Sequence, residues 1–195
     1  SRGLGDVYKR QVLTFDGRDC FVFPMSIRSL LFTVLLLALP SAWAGMKVAT
    51  LHPIITDLAK QVGGSHVKVV GLMSPGSDPH SFSPTPGQLA KVSDARLILA
   101  SGKGMETYLK KIGDNLSKGQ EIYEVGRRVP SLRIIAKDSL FVCCPAHASG
   151  GLDPHWWHSI SAMKRATSYL AKEFGRVDPG NEAAYKANGK RYISK

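Results

Sequence analysis

From residue 47 onward, apolar residues follow two alternating patterns. Short apolar runs predict four strands, at 47–51, 67–72, 95–100 and 121–125. Apolar residues that recur every three or four positions predict helices, at 53–62, 88–94, 105–116, 159–174 and 182–195. Strands that alternate with helices are typical of an α/β fold, here a three-layer domain with a mainly parallel sheet of about four strands.

Two segments lack both periodicities and are predicted to be loops. The polar segment 74–86 contains four prolines, and each removes a backbone donor and keeps its predecessor out of the helical region. Segment 127–153 is poorly patterned apart from a candidate strand at 140–143. The last helix is capped by Asn181 and has no stop signal before Lys195, so we expect the sequence to be cut within it.

A secretory signal peptide is predicted over residues 25–44. It has a positive charge at Arg28, an apolar run of ten residues at 30–39 and an A-x-A site that ends at Ala44. A membrane anchor would need about 20 apolar residues, so we predict cleavage after Ala44 and export to the periplasm. A signal peptide operates at the N-terminus, so residues 1–24 are interpreted as a non-native or untranslated leader.

The net charge is +11, from 26 basic and 15 acidic residues. Without residues 1–44 it is still +9, from 21 basic and 12 acidic residues. These charges are scattered, and few aromatic residues interleave with them as a nucleic-acid stacking surface requires. The sequence therefore argues against a nucleic-acid partner, and its hydrophobic share of 44% argues against a disordered chain.

Histidine shows the clearest chemical pattern in the sequence. All six histidines lie after residue 44, and His80 and His155 fall in loops at strand-to-helix crossings. Open α/β sheets bind their ligands at such loops. The prolines of segment 74–86 stiffen the loop of His80, and a metal site needs this rigidity because ligand distances must hold within a few tenths of an ångström. Either histidine taken alone can equally be a solvated side chain.

Two motifs carry a family resemblance: PGSDPHSFSPTP at 75–86 and DPHWW at 153–157. They resemble segments of the zinc- and manganese-binding solute receptors of bacterial ABC importers, the TroA-like family. Residues 48–55 and 94–100 look like the first and third strands of that family. The resemblance extends over residues 47–195, and the pairing of the two motifs is more specific than either motif alone.

The resemblance implies a receptor of two α/β lobes joined by one long helix, with the metal buried between the lobes. Residues 45–180 would form the N-terminal metal-binding lobe and 181–195 the start of the linking helix, with the second lobe missing from this sequence. By the same resemblance, His80 and His155 are metal ligands. The remaining ligands, a His or Glu and usually an Asp, would belong to the second lobe.

Several other residues are weaker candidates, and their interpretations stay open. His158 could reach the metal or support its ligands, and His147 is either a scavenging ligand or a solvated loop residue. Cys143 and Cys144 are either a zinc-binding thiolate pair or two buried small side chains. His52, which precedes a helix-opening proline, is interpreted as a wall or core residue.

These features predict a periplasmic component of an ABC importer that captures a divalent metal and delivers it to a membrane permease. Zn²⁺ is favoured and Mn²⁺ is the alternative, because manganese would need more carboxylate ligands. We expect a monomer without enzymatic activity.

Two other functions remain as alternatives. A zinc-dependent hydrolase would need three protein ligands and a general base. Asp78 and Asp153, each two residues before a histidine, instead look like turn or ligand-supporting residues. A metal-binding surface adhesin is the third possibility, and it would keep its activity after loss of both candidate histidines.

Overall fold

The computed structural model describes residues 45–134 and 151–195 of the protein. Its strands are β1 (Met46–Thr50), β2 (Val67–Gly71), β3 (Leu97–Ala100) and β4 (Glu121–Glu124). Its α-helices are α1 (Pro53–Gly63), α2 (Pro86–Ala90), α3 (Leu109–Gly113), α4 (Ile160–Val177) and α5 (Glu182–Ile193). Strands and helices follow one another in the order that the sequence pattern predicts.

The four strands form one parallel sheet in the order β2-β1-β3-β4. In its register, Val48 of β1 lies between Val69 of β2 and Leu97 of β3. The chain moves outward from β1 to β2 and then crosses to β3 on the other side of β1. Such a change of direction opens a crevice at the carboxyl ends of the two central strands, where ligands of α/β sheets bind.

Helices cover both faces of the sheet, which confirms the predicted three-layer α/β fold. Side chains alternate along a strand between the two faces. Val48 and Leu99 pack with residues of α1, α4 and α5 in one apolar core. Ala49 and Ile98, one position away, pack with residues near α2 and α3 in a second core on the opposite face.

Helix α2 begins at Pro86, two residues earlier than predicted. Proline fits the first helical turn because the N–H group it lacks has no partner there. Thr85 caps the helix: its Oγ1 accepts a hydrogen bond from the Gln88 amide (3.3 Å), and Gln88 Oε1 accepts one from the Thr85 amide (2.8 Å). This reciprocal pair fixes the end of the proline-rich loop.

Helix α3 is shorter than the predicted helix 105–116 because a tight loop occupies its first turn. Gly102 and Lys103 have positive φ angles of 84° and 58°. The carboxylate of Glu106 accepts hydrogen bonds from the amides of Ser101 (2.7 Å) and Gly102 (3.0 Å). Burial raises the pKa of Glu106, although these amide hydrogen bonds oppose the increase. The loop thus has a buried acidic side chain as its centre.

The last two helices pack against each other and against α1. Tyr185 of α5 is fully buried, and its hydroxyl donates a hydrogen bond to Asp178 Oδ2 (2.5 Å) in the turn after α4. Asn188 of α5 donates to the Val62 carbonyl oxygen of α1 (3.0 Å). Within residues 45–134 and 151–195, no helix combines the length and apolarity needed to cross a membrane.

Some of the sequence predictions concern residues outside the described ranges. They are the leader at 1–24, the signal peptide at 25–44 with its cleavage site, the candidate strand at 140–143, the cysteines Cys143 and Cys144, and His147. All of these remain predictions.

Candidate metal centre

Three histidines reach the carboxyl edge of the sheet from different segments. His52 follows β1, the strand beside the crevice, and His80 lies in the loop after β2. His155 precedes α4, and the next residue, Trp156, donates a hydrogen bond to Ser101, which directly follows β3. The parallel sheet therefore gathers residues separated by about a hundred positions in the sequence.

The backbone around His80 is shaped by the aspartate of its own motif. Asp78 Oδ1 accepts a hydrogen bond from the His80 amide (3.0 Å), a local turn typical of Asp. The hydrogen bonds from the His80 amide and from Ser81 hold the pKa of Asp78 below its usual value. Phe82 then packs edge-on against Tyr108, with ring centroids 5.7 Å apart. The loop is thus fixed on both sides of His80.

The ring of His155 is oriented directly by Asp153. Asp153 Oδ1 accepts hydrogen bonds from the His155 amide (2.9 Å) and from ring atom Nδ1 (2.7 Å). Because the proton of the neutral ring lies on Nδ1, which donates a hydrogen bond to the carboxylate, Nε2 keeps its lone pair for a metal. Partial burial would raise the pKa of Asp153, but both hydrogen bonds from His155 lower it and the net change is downward.

Trp156 anchors this segment to the sheet. The indole is buried, with 3% of the residue exposed, and Nε1 donates to the carbonyl oxygen (3.3 Å) and hydroxyl (3.2 Å) of Ser101. Gly126, after β4, has no room for a side chain, since a Cβ there would lie 2.2 Å from the indole nitrogen. The buried indole thus fixes the His155 segment against the ends of β3 and β4.

The structure brings together the two histidines that the motifs single out. His80 Nε2 and His155 Nε2 are 3.2 Å apart. Two imidazole nitrogens bound to one tetrahedral zinc, at 2.0–2.1 Å each, would be about 3.3 Å apart. The pair therefore fits a shared metal ion. Among the described residues, no group of three or more His, Cys, Asp or Glu side chains is arranged to hold a metal by itself.

His52 forms part of the same centre, although the sequence indicated only a wall or core position. The residue is 6% exposed, and its Nδ1 accepts a hydrogen bond from the Ile54 amide (3.2 Å) at the start of α1. Burial, together with repulsion from His155 and His80, lowers the pKa of His52 to about 4. Its place directly after a central strand was the signal that could have assigned it to the centre.

Trp157 lies among the imidazole rings, whereas His158 lies at the margin. The Trp157 ring centroid is 4.7 Å from that of His52 and 5.3 Å from that of His155. His158 is exposed, and its ring centroid is 6.3 Å from that of His155, compared with 5.3 Å for His80. The structure therefore pairs His155 with His80 rather than with its neighbour His158.

Comparison with known proteins assigns the chain to a family. A family model described as "ZnuA: Zinc-uptake complex component A periplasmic" matches residues 48–195. The chain belongs to the ZnuA family. This confirms the resemblance to metal-binding solute receptors that the two histidine motifs indicated.

Several relatives of this chain have names that refer to manganese. The manganese-binding lipoprotein MntA of Bacillus subtilis is 29% identical over 152 residues, which cover 78% of this chain and 47% of the relative. The manganese ABC transporter substrate-binding lipoprotein PsaA of Streptococcus pneumoniae is 26% identical over 156 residues, which cover 77% and 48%. The chain thus spans about half the length of these relatives.

Solved structures show the same fold. A crystal structure of ZnuA has a TM-score of 0.65 at 26% identity, covering 77% of this chain and 54% of that one. The Mn-bound periplasmic metal binding protein of Candidatus Liberibacter asiaticus also has a TM-score of 0.65 at 26% identity, covering 76% and 52%. These relatives are solute-binding proteins rather than enzymes, in agreement with the prediction for this chain.

Proposed function

We propose that the chain is the metal-capturing lobe of a solute-binding protein that serves an ABC importer. It binds a divalent transition metal outside the cytoplasm through His80 and His155 and delivers it to a membrane permease. The remaining ligands belong to a second lobe of the receptor. Export depends on the signal peptide at 25–44, with cleavage after Ala44, and the receptor acts as a monomer.

The observation that carries the proposal is the 3.2 Å separation of His80 Nε2 and His155 Nε2. Asp153 holds the His155 ring with its Nε2 lone pair available, an arrangement that raises the basicity of metal-binding histidines. The family description names zinc uptake, and the relatives named above bind or transport manganese.

Zinc is the metal that we propose, with manganese as the alternative. Both ligands supplied by this lobe are imidazoles, and nitrogen donors bind Zn²⁺ more tightly than Mn²⁺. Manganese prefers carboxylate and other oxygen ligands, so its selection would depend on the second lobe.

The proposal is tested by calorimetric titration of the full chain with Zn²⁺ and with Mn²⁺. We expect binding of one Zn²⁺ that is tighter than binding of Mn²⁺, and a loss of about 100-fold or more in zinc affinity in both His80→Ala and His155→Ala. His66→Ala is the matched control, because His66 lies before β2 at the opposite edge of the sheet and packs against Tyr185. Wild-type zinc affinity in both site variants would contradict the proposal.

A further inference from the structure

His52 is a third imidazole in the centre, with a role different from those of His80 and His155. It follows β1, the strand at which the direction of the chain reverses, and it is almost completely buried. Its ring packs on Trp157, which also packs on His155. A buried polar ring at this place needs a reason beyond filling the core.

The hydrogen bond at the start of α1 determines which nitrogen of His52 carries the proton. Nδ1 accepts from the Ile54 amide and is therefore unprotonated. In the neutral ring the proton is then on Nε2, which becomes a donor and has no lone pair in the ring plane for a metal. His155 has the opposite arrangement, because its Nδ1 donates to Asp153.

Within residues 45–134 and 151–195, the one hydrogen bond of the His52 side chain is the bond that Nδ1 accepts from the Ile54 amide, and Nε2–H makes none there. The side chain is nonetheless held on two sides, by the Ile54 amide and by the Trp157 ring. His52 also interacts electrostatically with His155 and His80. Its fixed N–H group can therefore donate a hydrogen bond to an acceptor atom that is bound to the metal.

We infer that His52 donates a hydrogen bond from Nε2 to an oxygen atom bound to the same metal ion, and that it is not a metal ligand. The oxygen belongs to a water molecule or to a carboxylate. Such a donor positions the oxygen and stabilises its negative charge, and so favours an oxygen ligand beside the two imidazoles. The inference rests on the proposed function, since it requires that His80 and His155 bind a metal.

The first test uses ¹H–¹⁵N correlation spectra of the imidazole groups in the full chain, with and without Zn²⁺. We expect His80 and His155 to show metal-bound Nε2 signals in the zinc form. His52 should keep a protonated Nε2 and an unprotonated Nδ1, and its Nε2–H should exchange with water more slowly once zinc is bound. This measurement requires no variant that could fail to fold.

The second test compares zinc affinity in His52→Asn and His66→Asn. Asparagine caps helices well, so His52→Asn retains the cap of α1 and removes the Nε2–H donor. We expect zinc affinity to fall about 10- to 100-fold, the usual effect of losing a hydrogen bond to a bound ligand. His66→Asn makes the same change at the opposite edge of the sheet and should bind zinc like the wild type.

The outcomes separate this inference from the proposed function. A zinc-bound Nε2 signal for His52 would overturn the inference and make His52 a ligand. If zinc leaves the exchange of His52 Nε2–H with water unchanged and His52→Asn binds zinc like the wild type, His52 only lines the wall of the site. If Zn²⁺ moves neither the His80 nor the His155 signals, the proposed function itself fails, and the inference fails with it.

Discussion

The two segments that supply the proposed ligands are held in different ways. The His155 segment has a buried anchor in Trp156 and a carboxylate on the ring itself. In the His80 segment, Asp78 accepts from the backbone amide, and the neighbouring Phe82 is only partly buried. A metal site needs little reorganisation on binding if its ligands are already oriented. The comparison indicates that Asp153 fixes the ring of His155 and Trp156 anchors its segment, whereas Asp78 fixes the backbone at His80.

The largest expected effect is on the free energy of unfolding, when the aromatic side chain that anchors each segment is truncated to alanine. Trp156→Ala should lower the free energy of unfolding by about 3 to 5 kcal/mol, since it leaves a large cavity and removes the partner of Ser101. Phe82→Ala should lower the free energy of unfolding by about half as much as Trp156→Ala or less, because Phe82 is only partly buried. Denaturant unfolding measures both values, and equal losses would show that the two segments are anchored alike.

The pH dependence of stability should come in part from a third segment, the turn with His52. The folded protein lowers the pKa of His52 from 6.5 to about 4, so it disfavours the protonated ring. The contribution of His52 to stability is therefore complete above pH 6.5 and is lost as the pH falls toward 4 and below. The loss amounts to about 3 kcal/mol.

The comparison of wild type with His52→Asn isolates this contribution. Unfolding measured at pH 7 and at pH 4 should show a smaller loss of stability for the variant, which has no imidazole to protonate at that position. Parallel pH profiles for the two proteins would contradict the assignment of the acid sensitivity to His52.

Asp153 and Asp78 precede the two candidate ligands by two residues, so the same substitution at each allows their effects on zinc affinity to be compared. Asp153→Asn should weaken zinc binding about 10- to 100-fold, because the amide is a weaker acceptor for His155 Nδ1–H. Asp78→Asn should change the affinity less than about threefold, since Asn forms the same type of turn with the His80 amide. Titration with Zn²⁺ measures both, and a larger effect at Asp78 would reverse the comparison.

The smallest effect is expected at the end of the His80 loop. Thr85→Ala removes the cap of α2 and should lower the free energy of unfolding by about 1 kcal/mol, whereas Thr85→Ser should change it little. Zinc affinity should stay within about twofold of the wild type if Asp78 and the loop prolines suffice to position His80. A large loss of affinity in Thr85→Ala would show that His80 depends on the cap.

The periodic parts of the fold could be predicted from sequence because their signals are local. The apolar runs of β1 and β3 reflect burial on both faces of the sheet, and the helical spacing of α4 reflects burial on one side of the helix. The start of α3 could not be predicted in this way, since Glu106 replaces its first turn with hydrogen bonds to Ser101 and Gly102. That competition depends on a buried carboxylate, which periodicity does not reveal.

The candidate site was predictable to the extent that it lies in motifs. His80 and His155 stand out because each follows an Asp-Pro pair in a loop. Their 3.2 Å approach and the role of His52 depend on strand order, which no single segment encodes. The rule that ligands bind at the carboxyl ends of the central strands would have found His52, which follows β1. Which of its ring nitrogens carries the proton depends on the hydrogen bond from the Ile54 amide.

The most direct test of the account is the X-ray absorption fine structure of the zinc-loaded full chain, recorded for the wild type and for His80→Ala and His155→Ala. The account predicts scattering from two imidazoles at about 2.0 Å in the wild type, with oxygen ligands completing the shell. Each variant should lose one imidazole. Zinc with sulfur ligands, or an unchanged imidazole count in both variants, would contradict the claim that His80 and His155 bind the metal together.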